Sequence, residues 1–166
     1  MKKQFSILLA TAFVIALVAC GFKEKTRDER VAEFRSELTA EDTTTMLKLC
    51  DDAMTLLKQK QYDKVLASLF EYNDSTKEVK PLSEKTAKTY SQQFKMFPVK
   101  EFTRKYFSFQ LEGCNDVKYD VVFATAEQAG TEEPAHTAYM FNPVKIDGVW
   151  RLCVKTPSDE IDPYMR

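Results

Sequence analysis

The chain has 166 residues, 44% apolar and 30% charged, with only 4 glycines and 6 prolines. That composition excludes collagen-like and long disordered architectures and fits one globular domain plus a short leader. The formal net charge of −1 lacks the clustered basic excess of a nucleic-acid binder, so no nucleic acid is expected as a partner. The first element is the leader MKKQFSILLATAFVIALVAC. Lys2 and Lys3 form a positive head, Phe5 to Val18 an apolar stretch, and Ala19 supplies a small residue before a cleavage point. This is the layout of an export signal, in which positive charge stays inside while the apolar segment inserts. The uncharged run from Gln4 to Phe22 is also long enough to span a bilayer as a helix. An uncleaved anchor and an ordinary secretory signal therefore stay open beside it.

Leu17-Val18-Ala19-Cys20 resembles the lipobox of bacterial lipoproteins: an aliphatic residue, a tolerant position, a small residue, then cysteine. The resemblance implies a signal peptide at 1–19, diacylglyceryl attachment to the Cys20 thiol, cleavage before it, and acylation of the new amine, for instance by palmitate. A partner membrane and a cell-envelope location follow, at the outer membrane if the host is Gram-negative, because Gly21 rather than Asp follows the cysteine. Each buried methylene contributes about 0.8 kcal/mol and one chain alone is marginal, so several chains make the anchor firm. Cleavage removes Lys2 and Lys3 and leaves 147 residues with 22 basic and 25 acidic side chains. A domain of that size buries roughly 68–70% of its unfolded surface and needs no disulfide or metal. With Cys20 lipidated, Cys50, Cys114 and Cys153 remain, an odd number that cannot all pair within one chain. The compartment permits a Cys50–Cys153 or Cys50–Cys114 bridge, but buried apolar thiols are the stronger reading.

Residues 20–38 read as a lipid-anchored tether. Phe22 to Arg30 is charged in both signs, and Val31, Phe34 and Leu38 suggest a short helix. Thr39-Ala40-Glu41-Asp42 has the form of a capping box, which predicts a helix over about 40–60 with Met46, Leu49, Cys50, Ala53, Leu56 and Leu57 on one face. Tyr62, Val65, Leu66, Leu69 and Phe70 predict a second helix, and the polar run 73–81 a loop. Leu82, Thr86, Tyr90, Phe94 and Phe97 mark a third helix over about 83–97, stopped by Pro98. Beyond Pro98 the period changes to two. Strands are expected around Phe107–Leu111, Val117–Phe123, Thr137–Ile146 and Trp150–Val154, with a turn at 112–116 and a polar loop at 127–134. Pro143 predicts an edge position or a bulge. Asp147-Gly148 predicts a tight hairpin, and 157–166 a loose tail.

This order, helices first and a meander of strands after them, predicts an α+β domain over 39–156: three N-terminal helices packed on a curved antiparallel four-stranded sheet. It resembles the nuclear transport factor 2-like domain of the cystatin-like superfamily. KQKQYDKVLASL (58–69) resembles that family's junction between its first two helices, and FNPVKIDGVWRLCVK (141–155) its closing hairpin. The resemblance covers roughly residues 40–156. It implies an apolar pocket inside the curved sheet, and in some relatives acid–base chemistry by a pocket Asp with a His or Tyr. It also implies an open sheet face that serves a homodimer.

Fold alone does not give function, so the residues have to. His136 is the sole histidine, with no nucleophile or orienting carboxylate near it in sequence, and reads as a solvated loop residue. Asp120 shares a strand face with Lys118 and reads as half of a solvent-side ion pair. Asp51, Asp52, Glu132 and Glu133 read as solvating charges. The three distal cysteines are too far apart for a zinc knuckle, and no metal or cofactor motif is present. Aromatic residues dominate cores, yet Tyr90, Phe94, Phe107, Phe109, Tyr119, Phe123 and Trp150 are the candidates for lining an apolar cavity. The expected function is a non-enzymatic envelope lipoprotein, anchored at Cys20, that binds a small apolar ligand or a partner envelope protein. A hydrolase, isomerase or dehydratase using a pocket Asp and Tyr is the alternative.

Overall fold

The computed structural model describes residues 24–73, 76, 78–111 and 114–154. The expected signal peptide, Cys20 and the tail at 157–166 lie outside the described residues. Internal contacts divide the chain into two units, Met1–Arg30 and Val31–Arg166. Thr26 and Glu29, both in the first, reciprocally cap the start of helix α1 (Arg27–Glu37), whose residues from Val31 on belong to the second: the Thr26 amide donates to Glu29 Oε2 at 2.7 Å, and the Glu29 amide to Thr26 Oγ1 at 3.2 Å. No residue of α1 is buried.

The second unit holds the domain. Helix α2 (Ala40–Lys58) starts at the Thr39–Asp42 capping box and buries Met46, Cys50, Ala53, Met54 and Leu57 as one stripe. It ends where Lys60 takes a left-handed φ of 57°. Helix α3 spans Tyr62–Ser68. Helix α4 (Glu84–Met96) is capped by Ser83 and buries Phe94, and Pro98 follows where the helix stops. The strands are β1 (Leu69–Asn73), β2 (Glu78–Pro81), β3 (Glu101–Ser108), β4 (Asp116–Ala124), β5 (Ala135–Ile146) and β6 (Val149–Val154), with a four-residue helix α5 (Ala126–Ala129) between β4 and β5. They form one six-stranded sheet in the order β2-β1-β6-β5-β4-β3.

The domain is thus α+β, but its sheet is larger than the four-stranded meander expected and is mixed, because β1 runs parallel to β6. The two extra strands come from segments read as the end of a helix and a loop. Leu69 and Phe70 fit both a helical stripe and a strand. The strand wins because Leu69 then points into the main core while Phe70 and Tyr72 point to the opposite face. There Tyr72, Val144 and Cys153 are buried as a second cluster, with Phe70, Val79 and Ile146 packed against it. Pro81 is tolerated because it closes an edge strand. The first expected strand, observed as β3, begins earlier, at Glu101 rather than Phe107, and a register shift between Arg104 and Tyr106 resets the alternation. Phe109 and Leu111 lie beyond its end.

The main core lies between the helices and one sheet face. Val117, Tyr119, Val121, Tyr139, Phe141, Leu152 and Val154 from the sheet meet Cys50, Met54, Leu57, Val65 and Phe94 from the helices. The Asp147-Gly148 turn has φ of 49° and 77°, as a two-residue type I′ hairpin requires. No bulge occurs at Pro143, and although β5 is an interior strand of the sheet, Pro143 stands at a local edge of it, in line with the expectation. It stands in β5 two residues past the end of the β4 ladder, which closes at Val117–Phe141. On that side its missing amide interrupts nothing, and the buried Asn115 side chain donates to its carbonyl at 3.0 Å.

Candidate functional site

A cavity of about 240 Å³ opens between α4 and β5, lined by Tyr90, Gln93, Phe94 and residues 138–142. Its origin is a mismatch of strand lengths. β4 pairs with β5 over 135–141, whereas β6 pairs only with 142–146. Among the described residues, β5 therefore has no strand on its β6 side over 135–141. α4 covers that stretch instead. The Phe94 and Tyr139 rings meet edge to face at 5.7 Å, and the Tyr139 hydroxyl donates to the Phe97 carbonyl at 2.6 Å. Burial, first of all, pushes the Tyr139 phenol above its ordinary range, so it stays protonated and keeps that bond at neutral pH. Residues 146 and 149 flank a two-residue turn, so even-numbered residues of β5 aim their main-chain groups toward β6. Ala138 and Met140 thus present amide and carbonyl groups to the cavity, while the rings of Tyr90 and Phe94 give it apolar walls.

The seven aromatic residues singled out from the sequence do not converge. Tyr90 and Phe94 line this cavity, where their rings lie 5.9 Å apart. Phe123 packs edge-on against Phe97 at 5.1 Å. Phe107 is half-exposed and lies against Phe109 at 5.2 Å. Tyr119 is fully buried between Phe102 and Phe141. Trp150 lines a different cavity. Gln93, Tyr139 and Phe141 complete the first cavity. Tyr139 and Phe141 belong to the aromatic alternation of β5, but nothing in that alternation distinguishes a cavity wall from core.

Three carboxylates are better connected than their sequence neighbourhoods suggest. Asp51 was expected only to solvate α2. Its Oδ1 instead accepts from the Tyr119 hydroxyl at 2.6 Å, and its Oδ2 from Arg104 at 3.0 Å. It follows Cys50 at the border of the buried stripe, so it meets the sheet, whereas Asp52 faces out and pairs with Lys48. Burial, then the Asp51 carboxylate, raises the Tyr119 phenol above its usual range, which keeps it a donor rather than a base. Removing that hydroxyl (Tyr119→Phe) should cost about 1 kcal/mol in urea unfolding, since Asp51 is half-exposed and keeps Arg104. A loss above about 3 kcal/mol would mean that the pair stabilises the fold far beyond one solvent-screened hydrogen bond.

Asp120 does not pair with Lys118 as expected. Its Oδ2 lies 3.0 Å from His136 Nδ1 and 3.8 Å from Lys105 Nζ. Side chains two apart on a strand are neighbours only loosely, while the adjacent strands bring Lys105 and His136 within reach. His136 is consequently a β5 residue with a carboxylate partner, not an isolated loop residue. Among the described residues no hydroxyl or thiol is bonded to its ring, so the pair lacks the nucleophile of a triad.

Asp42 ties α2 to the β5–β6 hairpin. Its carboxylate accepts from Lys145 Nζ at 2.7 Å, Trp150 Nε1 at 2.8 Å, the Thr39 amide at 3.1 Å and the Thr39 hydroxyl at 2.9 Å. Cys50 and Cys153 are buried free thiols. Burial pushes the Cys153 thiol up to about 12, which leaves it unreactive at neutral pH.

No protein-family model matches the chain, and no curated protein does. Among solved structures it is similar to a Campylobacter jejuni protein described as an NTF2-like transpeptidase, at 12% identity and a TM-score of 0.38, over 65% of this chain and 96% of that one.

Proposed function

We propose that this chain is a bacterial envelope lipoprotein, lipidated at Cys20, whose domain is of the nuclear transport factor 2-like kind and binds a small apolar ligand between α4 and β5. The observation that carries the ligand reading is the α4–β5 cavity itself: aromatic walls, the Gln93 side chain, and the main-chain groups of Ala138 and Met140, which no strand among the described residues takes up. Concave, mostly apolar sites with a few oriented polar groups are how proteins hold small molecules. The address rests on the lipobox and on the tether that follows it.

Native mass spectrometry of the full chain purified from membranes tests both parts. A diacylglyceryl mass on an N-terminal Cys20 is expected, and an intact Met1 or an unmodified cysteine would sink the address. A co-purified small molecule should be lost in Gln93→Trp, which adds bulk from a partly exposed helix position that lines the cavity. Retention of the molecule by that variant would place it elsewhere. The Tyr119–Asp51 bond favours one second reading, acid–base chemistry at a Tyr–carboxylate pair. It requires that Tyr119→Phe abolish a turnover, whereas a binding protein keeps its ligand in that variant.

A further inference from the structure

A second cavity, of about 370 Å³, shares no lining residue with the first. It arises from another mismatch of strand lengths. β1 joins β6 only from Leu69, opposite Leu152, so residues 149–151 have no strand beside them on that side among the described residues. α2 lines this notch with Leu49, Ala53 and Leu56, Trp150 flanks it on the same face of the sheet, and Phe70 and Arg151 border it from the other face. Two charged residues stand at its border. Asp52 is neutralised by Lys48 at 2.5 Å. Arg151 is different: its guanidinium lies 5.1 Å over the Phe70 ring, and no carboxylate among the described residues pairs with it. Stacking holds a guanidinium in place while leaving its in-plane N–H groups free for an anion.

We propose that this cavity binds a single-chain carboxylate amphiphile, with the alkyl chain against Leu49, Leu56 and Trp150 and the carboxylate on Arg151. The charge argument selects an anion, since among the described residues the one ion at the border without a counter-charge is a cation. The volume lies at the lower end of the roughly 300–1,000 Å³ of small-molecule pockets, which suits one chain and not the two of a membrane phospholipid. The site is independent of lipidation at Cys20 and of the α4–β5 cavity.

Trp150 is the sole tryptophan of the chain and lines the cavity, so its emission reports occupancy directly. The full chain in phosphatidylcholine vesicles is titrated with decanoate, and separately with decanol, which has the same chain length and no charge. Decanoate should shift Trp150 emission saturably, at about tenfold lower concentration than decanol, as a charge-assisted contact implies. Arg151→Gln should bring decanoate to the decanol level. Arg151 is exposed, so the variant keeps its fold, and an unchanged far-ultraviolet spectrum verifies that. Ala67→Phe, placed at an exposed lining position, should abolish the saturable response to both probes. Equal responses to decanoate and decanol in the wild type, an unaltered decanoate curve in Arg151→Gln, or a response to vesicles of anionic phospholipid alone that matches the decanoate response would each overturn the proposal.

Discussion

Replacing Asp42 by alanine is expected to lower the unfolding free energy by about 3 kcal/mol, read by urea denaturation with Trp150 fluorescence as the probe. The residue is buried and carries three tasks at once. It returns the capping bond to the Thr39 amide, it accepts the Lys145 ammonium, and it accepts the Trp150 indole N–H. A lost cap alone is worth about 1 kcal/mol. The remainder comes from a half-buried ammonium and a buried indole left without their acceptor, which costs more than the intact contacts contribute. Asp42→Asn keeps a capping oxygen and loses the charge, so it should fall between wild type and alanine. A cost for Asp42→Ala no greater than that of an ordinary cap would show that the hairpin contacts add nothing net.

The same site sets a pH dependence. The Lys145 ammonium, then the Trp150 indole and the Thr39 amide, hold the Asp42 carboxyl well below the usual carboxylate range. A folded-state value below the unfolded one means stabilisation that is fully present above the unfolded value, about 3.9, and lost as pH falls from there toward the folded value. The stability difference between wild type and Asp42→Asn should therefore stay constant from neutral pH to about 5 and shrink below about 4. A difference that widens on acidification has the wrong sign for this account.

The local signals of this sequence were strong wherever one residue type had one physical reason to be there. Thr39 and Asp42 announce the start of α2 because a capping box needs that spacing, and the structure forms both bonds. Asp147-Gly148 announces the hairpin because two successive positive φ values suit few other pairs. β2 was illegible because Glu78–Pro81 is mostly polar and ends in proline, and β1 because Leu69-Phe70 satisfies a helical and an extended pattern equally. What decides between them is the second cluster around Val144 and Cys153, residues more than seventy positions away. The site suffered in the same way. Asp120, Lys105 and His136 are scattered in sequence and meet only through strand register, and Asp51 acquires Tyr119 across 68 positions. The cavities are less legible still, since each is a gap left where, among the described residues, one strand outlasts its neighbour, and a gap has no residue pattern.

Asn142 is where these threads meet, and replacing it by leucine is expected to cost about 2–4 kcal/mol. Its side-chain amide donates to the Asn115 carbonyl at 2.7 Å and to Asp116 Oδ1 at 2.7 Å, and Asn142 is 3% exposed. Asn115 in turn donates to the Pro143 carbonyl and accepts from the Gln110 amide at 3.0 Å. Together the two asparagines stand in for the main-chain ladder that β4 and β5 cannot continue past Val117–Phe141, where Pro143 has no amide to give. Leucine has nearly the same size but no donor, so the Asn115 carbonyl loses its buried partner. Because the two residues share one network, Asn115→Ala and Asn142→Ala should be non-additive, with a coupling of at least about 1 kcal/mol in a double-mutant cycle. Asn142 also lines the α4–β5 cavity, so its loss should weaken ligand retention there while leaving the Trp150 response to decanoate intact. Additive costs would mean that each asparagine acts alone, and that Pro143 is tolerated in mid-strand for a reason other than this network.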